Sequence, residues 1–143
     1  GFNPRLENDR QSREEANAFG YKAEFAVARL FDVEPPVINV LSDGGVDLWM
    51  DDTPVDVKFT NEEQGPLIFD SMQKFRAEIA ILVGRTDDDD VMSINGWVTR
   101  KEFKASAGKH DFGYGERLFM SHTEMNPIQD LWHFLAERKW GVV

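Results

Sequence analysis

At 143 residues the chain is sized for a single domain, and 41% hydrophobic with 12% aromatic residues excludes disorder throughout. It has no Cys, which excludes disulfides, iron–sulfur clusters, thiolate zinc sites and a Cys nucleophile. The net charge is −10, so the chain repels polyanions on average, and a nucleic-acid partner requires a local basic patch or bound cations.

Residues 1–12 are polar with little periodicity and read as a loosely ordered arm of a single domain spanning 1–143. No apolar h-region follows Gly1, which points away from a secretory signal. From Arg13 to Phe31 the spacing of Ala16, Phe19, Ala23, Val27 and Leu30 predicts a helix with one apolar stripe. Pro35-Pro36 ends it and introduces an extended segment, Val37 to Leu41. Two strands, Val46–Met50 and Val55–Phe59, flank the turn-rich linker Asp51-Asp52-Thr53-Pro54. A second helix is expected over Phe69–Ala77, followed by a buried strand at Ile79–Val83 and an acidic turn at Asp87–Asp90.

A further strand, at Val91–Ile94 or Trp97–Val98, leads to Thr99-Arg100-Lys101-Glu102, which has the form of a capping box opening a helix. Residues 108–116 contain three glycines and read as an irregular loop before a short strand, Arg117–Met120. Asn126 as cap and Pro127 at the first helical position begin a last helix, its face formed by Ile128, Leu131 and Leu135 with Trp132 beside them. The longest apolar run, Ile79–Val83, is five residues, so a cytoplasmic protein without membrane association is expected. The fold class is α/β.

The chemistry concentrates in the hairpin. Side-chain alternation puts Val46, Leu48, Met50, Val55, Val57 and Phe59 on one face and Asp47, Trp49, Asp56 and Lys58 on the other. With Met50 opposite Val55, Trp49 faces Asp56 and Asp47 faces Lys58; a one-residue slip would bury charge, so the hydrophobic pattern itself selects this register. Two carboxylates and an ammonium roughly 5–8 Å apart suit a hard divalent cation, which takes one or two carboxylates plus a substrate phosphate. The Lys then holds water or neutralises phosphate charge. The alternative is a salt-bridged, solvated sheet face.

Gly45-Val46-Asp47-Leu48 followed by Val55-Asp56-Val57-Lys58, with Glu24 in a preceding helix, resembles the PD-(D/E)XK nuclease superfamily over roughly residues 20–83. Val46 stands where the superfamily's name has Pro; Gly-Val-Asp leans towards the Holliday-junction-resolvase-like branch. The resemblance implies a restriction-endonuclease-like core, a central mixed β-sheet flanked by helices. It implies a Mg²⁺- or Mn²⁺-dependent DNA nuclease, with Asp47, Asp56 and Glu24 as catalytic acids and metal ligands, and the Val57 carbonyl as a further ligand. It makes Lys58 the residue that positions the nucleophilic water, and Gln73 an accessory candidate on the helix after the DxK strand. Small relatives often act as homodimers. The competing class is a non-catalytic DNA- or protein-binding module on the same fold.

Five basic residues against three acidic ones fall between Arg100 and Arg117, and Arg100, Lys101, Lys104 and Lys109 are the expected DNA contacts. Phe112 and Tyr114 in the Gly-rich loop are candidates for base stacking or for packing beneath it. His110, His122 and His133 lack zinc-site spacing, Asp87–Asp90 lacks the remainder of a calcium loop, and no phosphate-binding Gly-rich loop is present.

Overall fold

The computed structural model describes residues 4–35 and 46–140, with side chains from residue 18 onward. Helix α1 (Pro4–Phe31) opens the chain, nine residues earlier than the expected Arg13. Residues 4–12 therefore belong to the helix rather than to a loose arm. Pro is at home in a first helical turn, and the Glu-, Gln- and Arg-rich stretch that follows has good helix propensity. Phe19, Ala23 and Val27 are buried as the periodicity predicts. Leu30 is exposed, and Ala28 and Phe31 take its place against the core. The expected extended segment Val37–Leu41 and the Asp43-Gly44-Gly45 stretch lie outside the described residues.

Strands β1 (Leu48–Met50) and β2 (Thr53–Thr60) form the hairpin. Met50 pairs with Thr53 and Leu48 with Val55, two residues away from the expected register. The cause is the turn: Asp51 and Asp52 alone make it, with Asp51 at φ +54°, a left-handed conformation that Asp tolerates. A shift of two preserves side-chain parity, so both faces keep their predicted character.

Strands β3 (Leu67–Phe69), β4 (Ile79–Arg85) and β5 (Met92–Thr99) follow. The order β1-β2-β4-β5 makes a mixed four-stranded sheet in which β2 and β4 run parallel and the other pairs antiparallel. Both candidate segments after the acidic turn belong to the single strand β5, which carries an irregularity where Leu82 pairs with Gly96 and Val83 with Ile94. Helix α2 (Arg100–Ser106) starts on the predicted capping box: Thr99 Oγ1 accepts from Glu102 N–H, and Glu102 Oε1 accepts from Thr99 N–H, each at 3.1 Å.

Strand β6 (Gly108–Asp111) lies where an irregular loop is expected and forms a hairpin with β7 (Glu116–Met120), the short strand expected at Arg117–Met120; β3-β7-β6 is a separate three-stranded sheet. Its tip is set by Asp111, whose Oδ1 accepts from Gly113 N–H at 2.7 Å and Gly115 N–H at 3.1 Å, both glycines having positive φ. Helix α3 (Gln129–Trp140) closes the chain. It begins later than Asn126 because Asn126 exchanges backbone hydrogen bonds with Trp97 at the edge of β5.

Two apolar clusters fill the two faces of the four-stranded sheet. Ala23 and Val27 of α1 and Leu131 of α3 pack with Leu48, Met50, Val55, Val57, Ile79 and Ile81 on one side. Leu67 and Phe69 of β3, Phe75, Phe103 of α2 and Met120 of β7 pack with Ala80, Leu82 and Val98 on the other. The second cluster explains why the helix expected over Phe69–Ala77 does not form. Phe69 lies in β3 and Phe75 stacks on it at 4.5 Å, with one 3-10 turn (Met72–Lys74) between them. Burying both rings outweighs local helix propensity.

The backbone freed by that choice is bound by Arg100. Its Nε donates to Phe75 O at 2.7 Å and its Nη2 to Met72 O at 3.2 Å, while its backbone N–H donates to Glu78 O at 2.8 Å. Among the described residues no helix is long and apolar enough to cross a membrane. If Arg100 is the clamp for this irregular crossover, Arg100→Ala should lower stability by about 2 kcal/mol, the scale of lost charged hydrogen bonds with carbonyls left unpaired. Urea denaturation measures this; an unchanged midpoint would show that water replaces the guanidinium at no cost.

Candidate functional site

The site is built where β1 runs out. Regular pairing stops at Leu48, but the Asp47 N–H still reaches Val55 O at 2.9 Å. Beyond that point the Asp47 carboxylate takes over from the backbone: its Oδ2 accepts from Val57 N–H at 2.8 Å. One residue's N–H and C=O point to the same side of a strand, so the Val57 carbonyl is also directed towards the β1 side. Asp47 and the Val57 main chain are thus held together by the hairpin.

Asp56 lies between these groups and the second cluster. It is 4% exposed on the face that carries Ala80 and Leu82, an unusual burial for a carboxyl group. Its side chain is hydrogen-bonded to Asp47, and Lys58 Nζ stands 3.5 Å from its Oδ2. Lys58 is itself 40% exposed, with its ammonium 4.9 Å from the centre of the Phe69 ring. The expected facing of Asp47 with Lys58 is replaced by an Asp47–Asp56 pair with Lys58 beside Asp56, a consequence of the register shift.

Burial pushes the Asp56 carboxyl up to about 8 from an ordinary value near 3.8; the hydrogen bond and negative charge of Asp47 add to the rise, and the Lys58 charge opposes it. A buried carboxyl beside a second, half-buried one favours a shared proton or cation. The oxygens gathered here, two carboxyls and a main-chain carbonyl, are hard donors of the kind Mg²⁺ and Mn²⁺ accept.

The other expected residues are distributed differently. Helix α1 packs on the opposite face of the sheet, against Val55 and Val57, and Glu24 is half-buried there. Among the described residues no three His, Cys, Asp or Glu side chains form a group that would hold a metal ion. Gln73 is exposed on the 3-10 turn rather than on a helix. Arg100 is tied to backbone carbonyls, whereas Lys101 and Lys104 are exposed along an open cleft of about 680 Å³ that begins at Pro54. Lys109 is exposed on β6, away from that lining. Phe112 packs edge-on to His110 at 4.6 Å, and Tyr114 at the hairpin tip is 83% exposed.

Arg76, which also lines the cleft, escaped the sequence reading because the helix expected there obscured where it points. Alternation places Trp49 on the charged face, where it is 59% exposed.

The Asp56 environment has a pH signature. Between about pH 4 and 8 the folded chain retains a proton that the unfolded chain releases, so folding takes up a proton and stability falls as pH rises through this window. In chelator, the melting temperature of the wild type should drop between pH 5 and 8.5 more steeply than that of Asp56→Asn, which mimics the protonated acid. The variant should be the more stable protein at pH 8.5. Parallel slopes would contradict a protonated, buried Asp56.

Comparison of the chain with protein-family models, with curated proteins and with solved structures yields no match. The functional reading of the carboxyl pair therefore rests on its own geometry and chemistry.

Proposed function

We propose that the protein is a Mg²⁺- or Mn²⁺-dependent DNA nuclease on a restriction-endonuclease-like core. One observation carries this reading: a buried Asp56 carboxyl bonded to Asp47, with the Lys58 ammonium 3.5 Å away and partly open to solvent. A purely structural ion pair has no use for the second carboxyl, which raises the cost of burial. A divalent cation removes that cost, and its ligand set is then completed by substrate phosphate. Support also comes from chain order: a long helix, an Asp hairpin, the Asp56-Val57-Lys58 element and a parallel strand follow one another as in the superfamily that the sequence resembles. The crossover lacks that superfamily's helix, and Val46 stands in place of Pro.

In this reading Asp47 and Asp56 hold the cation, with the Val57 carbonyl as a further oxygen donor. When bound, the metal polarises the phosphoryl oxygen and lowers the pKa of water. Lys58 orients the attacking water and neutralises charge that develops on the phosphate; its ammonium lies over the Phe69 ring and beside Asp56, on a side chain that stays partly open to solvent. Asp47 fixes the strand geometry through Val57 N–H, which keeps the donors at constant spacing. Glu24 has a supporting role, in contact with a second cation or a bridging water. The net charge of −10 is the observation that favours the alternative, a non-catalytic binding module.

Asp56→Asn should abolish metal-dependent cleavage while preserving the fold and weakening Mn²⁺ binding, because it keeps the shape and removes one ligand charge. Full cleavage by the purified variant would remove Asp56 from the metal site. Lys58→Met should cost at most about 1 kcal/mol of stability, since the ammonium is partly exposed. It should lower single-turnover cleavage at least about a hundredfold, the scale of a positioned catalytic group. Full activity in Lys58→Met would favour the non-catalytic module.

A further inference from the structure

Trp49 is the large apolar side chain that the charged face leaves uncovered. Leu48 and Met50 on either side of it are buried in the core below the sheet, whereas Trp49 is 59% exposed above it. It stands opposite Pro54 in the hairpin, and Pro54 is two residues before Asp56, roughly 7 Å along β2. An exposed indole thus lies about one strand step from the carboxyl pair and on the same side of the sheet.

Pro54 also begins the open cleft of about 680 Å³ lined by Arg76, Lys101 and Lys104. Two other charged residues of that cleft are already committed. Glu78 is ion-paired with Arg138, and Arg100 is bound to the Phe75 and Met72 carbonyls. Among the described residues Arg76, Lys101 and Lys104 form no ion pair. In a chain of net charge −10, three uncommitted cations in one cleft beside an exposed indole are complementary to a polyanion that also offers a flat apolar face. An unpaired nucleotide has both.

We infer that Trp49 stacks on an unpaired base next to the nucleotide held at the carboxyl pair, with Arg76, Lys101 and Lys104 receiving the phosphates that continue from it. The preferred substrate is therefore single-stranded DNA, or a flap or frayed end, because a base inside a duplex keeps both faces stacked on its neighbours. The inference takes its substrate class from the nuclease reading and adds the strand state to it. Trp49 is a positioning residue: it sets where the strand lies and leaves the reacting atoms to Asp47, Asp56 and Lys58.

The test measures binding with Ca²⁺ in place of Mg²⁺, using fluorescence anisotropy of three labelled probes of equal length: oligothymidylate, an abasic single strand and a blunt duplex. Trp49→Ala should weaken oligothymidylate binding roughly tenfold or more, the scale of one lost base stack. It should leave the abasic strand and the duplex unchanged, and Trp49→Phe should recover most of the loss. The variant with Arg76, Lys101 and Lys104 all replaced by Ala should weaken both single-stranded probes, with the salt slope reduced by about 0.7 per contact.

Equal losses on the abasic strand, or no loss on oligothymidylate, would overturn the stacking role. So would a wild-type dimer that Trp49→Ala dissociates in sedimentation with no change in DNA binding, because the indole would then be a subunit contact. Cleavage with Mg²⁺ and Mn²⁺ is scored separately on the same preparation. Base-dependent binding through Trp49 without any cleavage would overturn the nuclease reading and support the stacking site, whereas metal-dependent cleavage indifferent to Trp49 and to strand state would do the reverse.

Discussion

A carboxylic acid buried beneath a second layer of structure organises this molecule. Asp56 sits on the central strand β2 between the face that binds α1 and α3 and the face covered by the small sheet. Ionised and alone, it would be among the costliest groups a domain of this size could bury. Asp47 and Lys58 answer the cost in opposite ways. Lys58 favours the charged form, Asp47 opposes it, and burial decides in favour of the proton. The outcome is a carboxyl that holds its proton more tightly than an exposed one would, and in the proposed reading a divalent cation takes the place of that proton. In such a site metal affinity and pH are linked by competition for the same oxygens.

The small sheet supplies the rest of the constraint. Phe69, Phe75 and Phe103 form a continuous aromatic cluster, with ring centres 4.5–5.6 Å apart, above Ala80 and Leu82. Small and medium residues on β4 make room for these rings, and Phe69 in turn reaches the Lys58 ammonium. The crossover from β2 to its parallel partner β4 therefore departs from the helix that usually makes such a connection, and Arg100 binds the carbonyls that the helix would have satisfied internally. A basic residue read as a phosphate contact is thereby used inside the fold, and the cations of the adjacent cleft that form no ion pair among the described residues are Arg76, Lys101 and Lys104.

The legible parts of the fold were those in which one pattern dominates. Alternation in residues 46–59 separated the core face from the charged face correctly, because parity survives a two-residue error in register. The run Ile79–Val83 announced a strand buried on both sides, and the Thr99–Glu102 capping box fixed the start of α2. Failures arose where tertiary contacts overrode local signals. Residues 69–77 read locally as a helix, yet Phe69 and Phe75 both enter a core that the second sheet completes. Gly108 and the glycines near 113 read as loop, but they serve a hairpin whose turn is closed by Asp111. For the candidate site, spacing and resemblance single out Asp47, Asp56 and Lys58, and the structure brings these three together. The burial of Asp56 was invisible, since it depends on β3 and β7 arriving from later in the chain.

The central claim is that Asp47 and Asp56 form one charge-binding unit whose proton a divalent cation displaces. Calorimetric titration of Mn²⁺ at pH 7, in buffers of differing ionisation enthalpy, counts that proton directly. The account predicts saturable binding with release of about one proton per ion, and loss of that release in Asp56→Asn. Binding with no proton released, or release that persists in the variant, would contradict it.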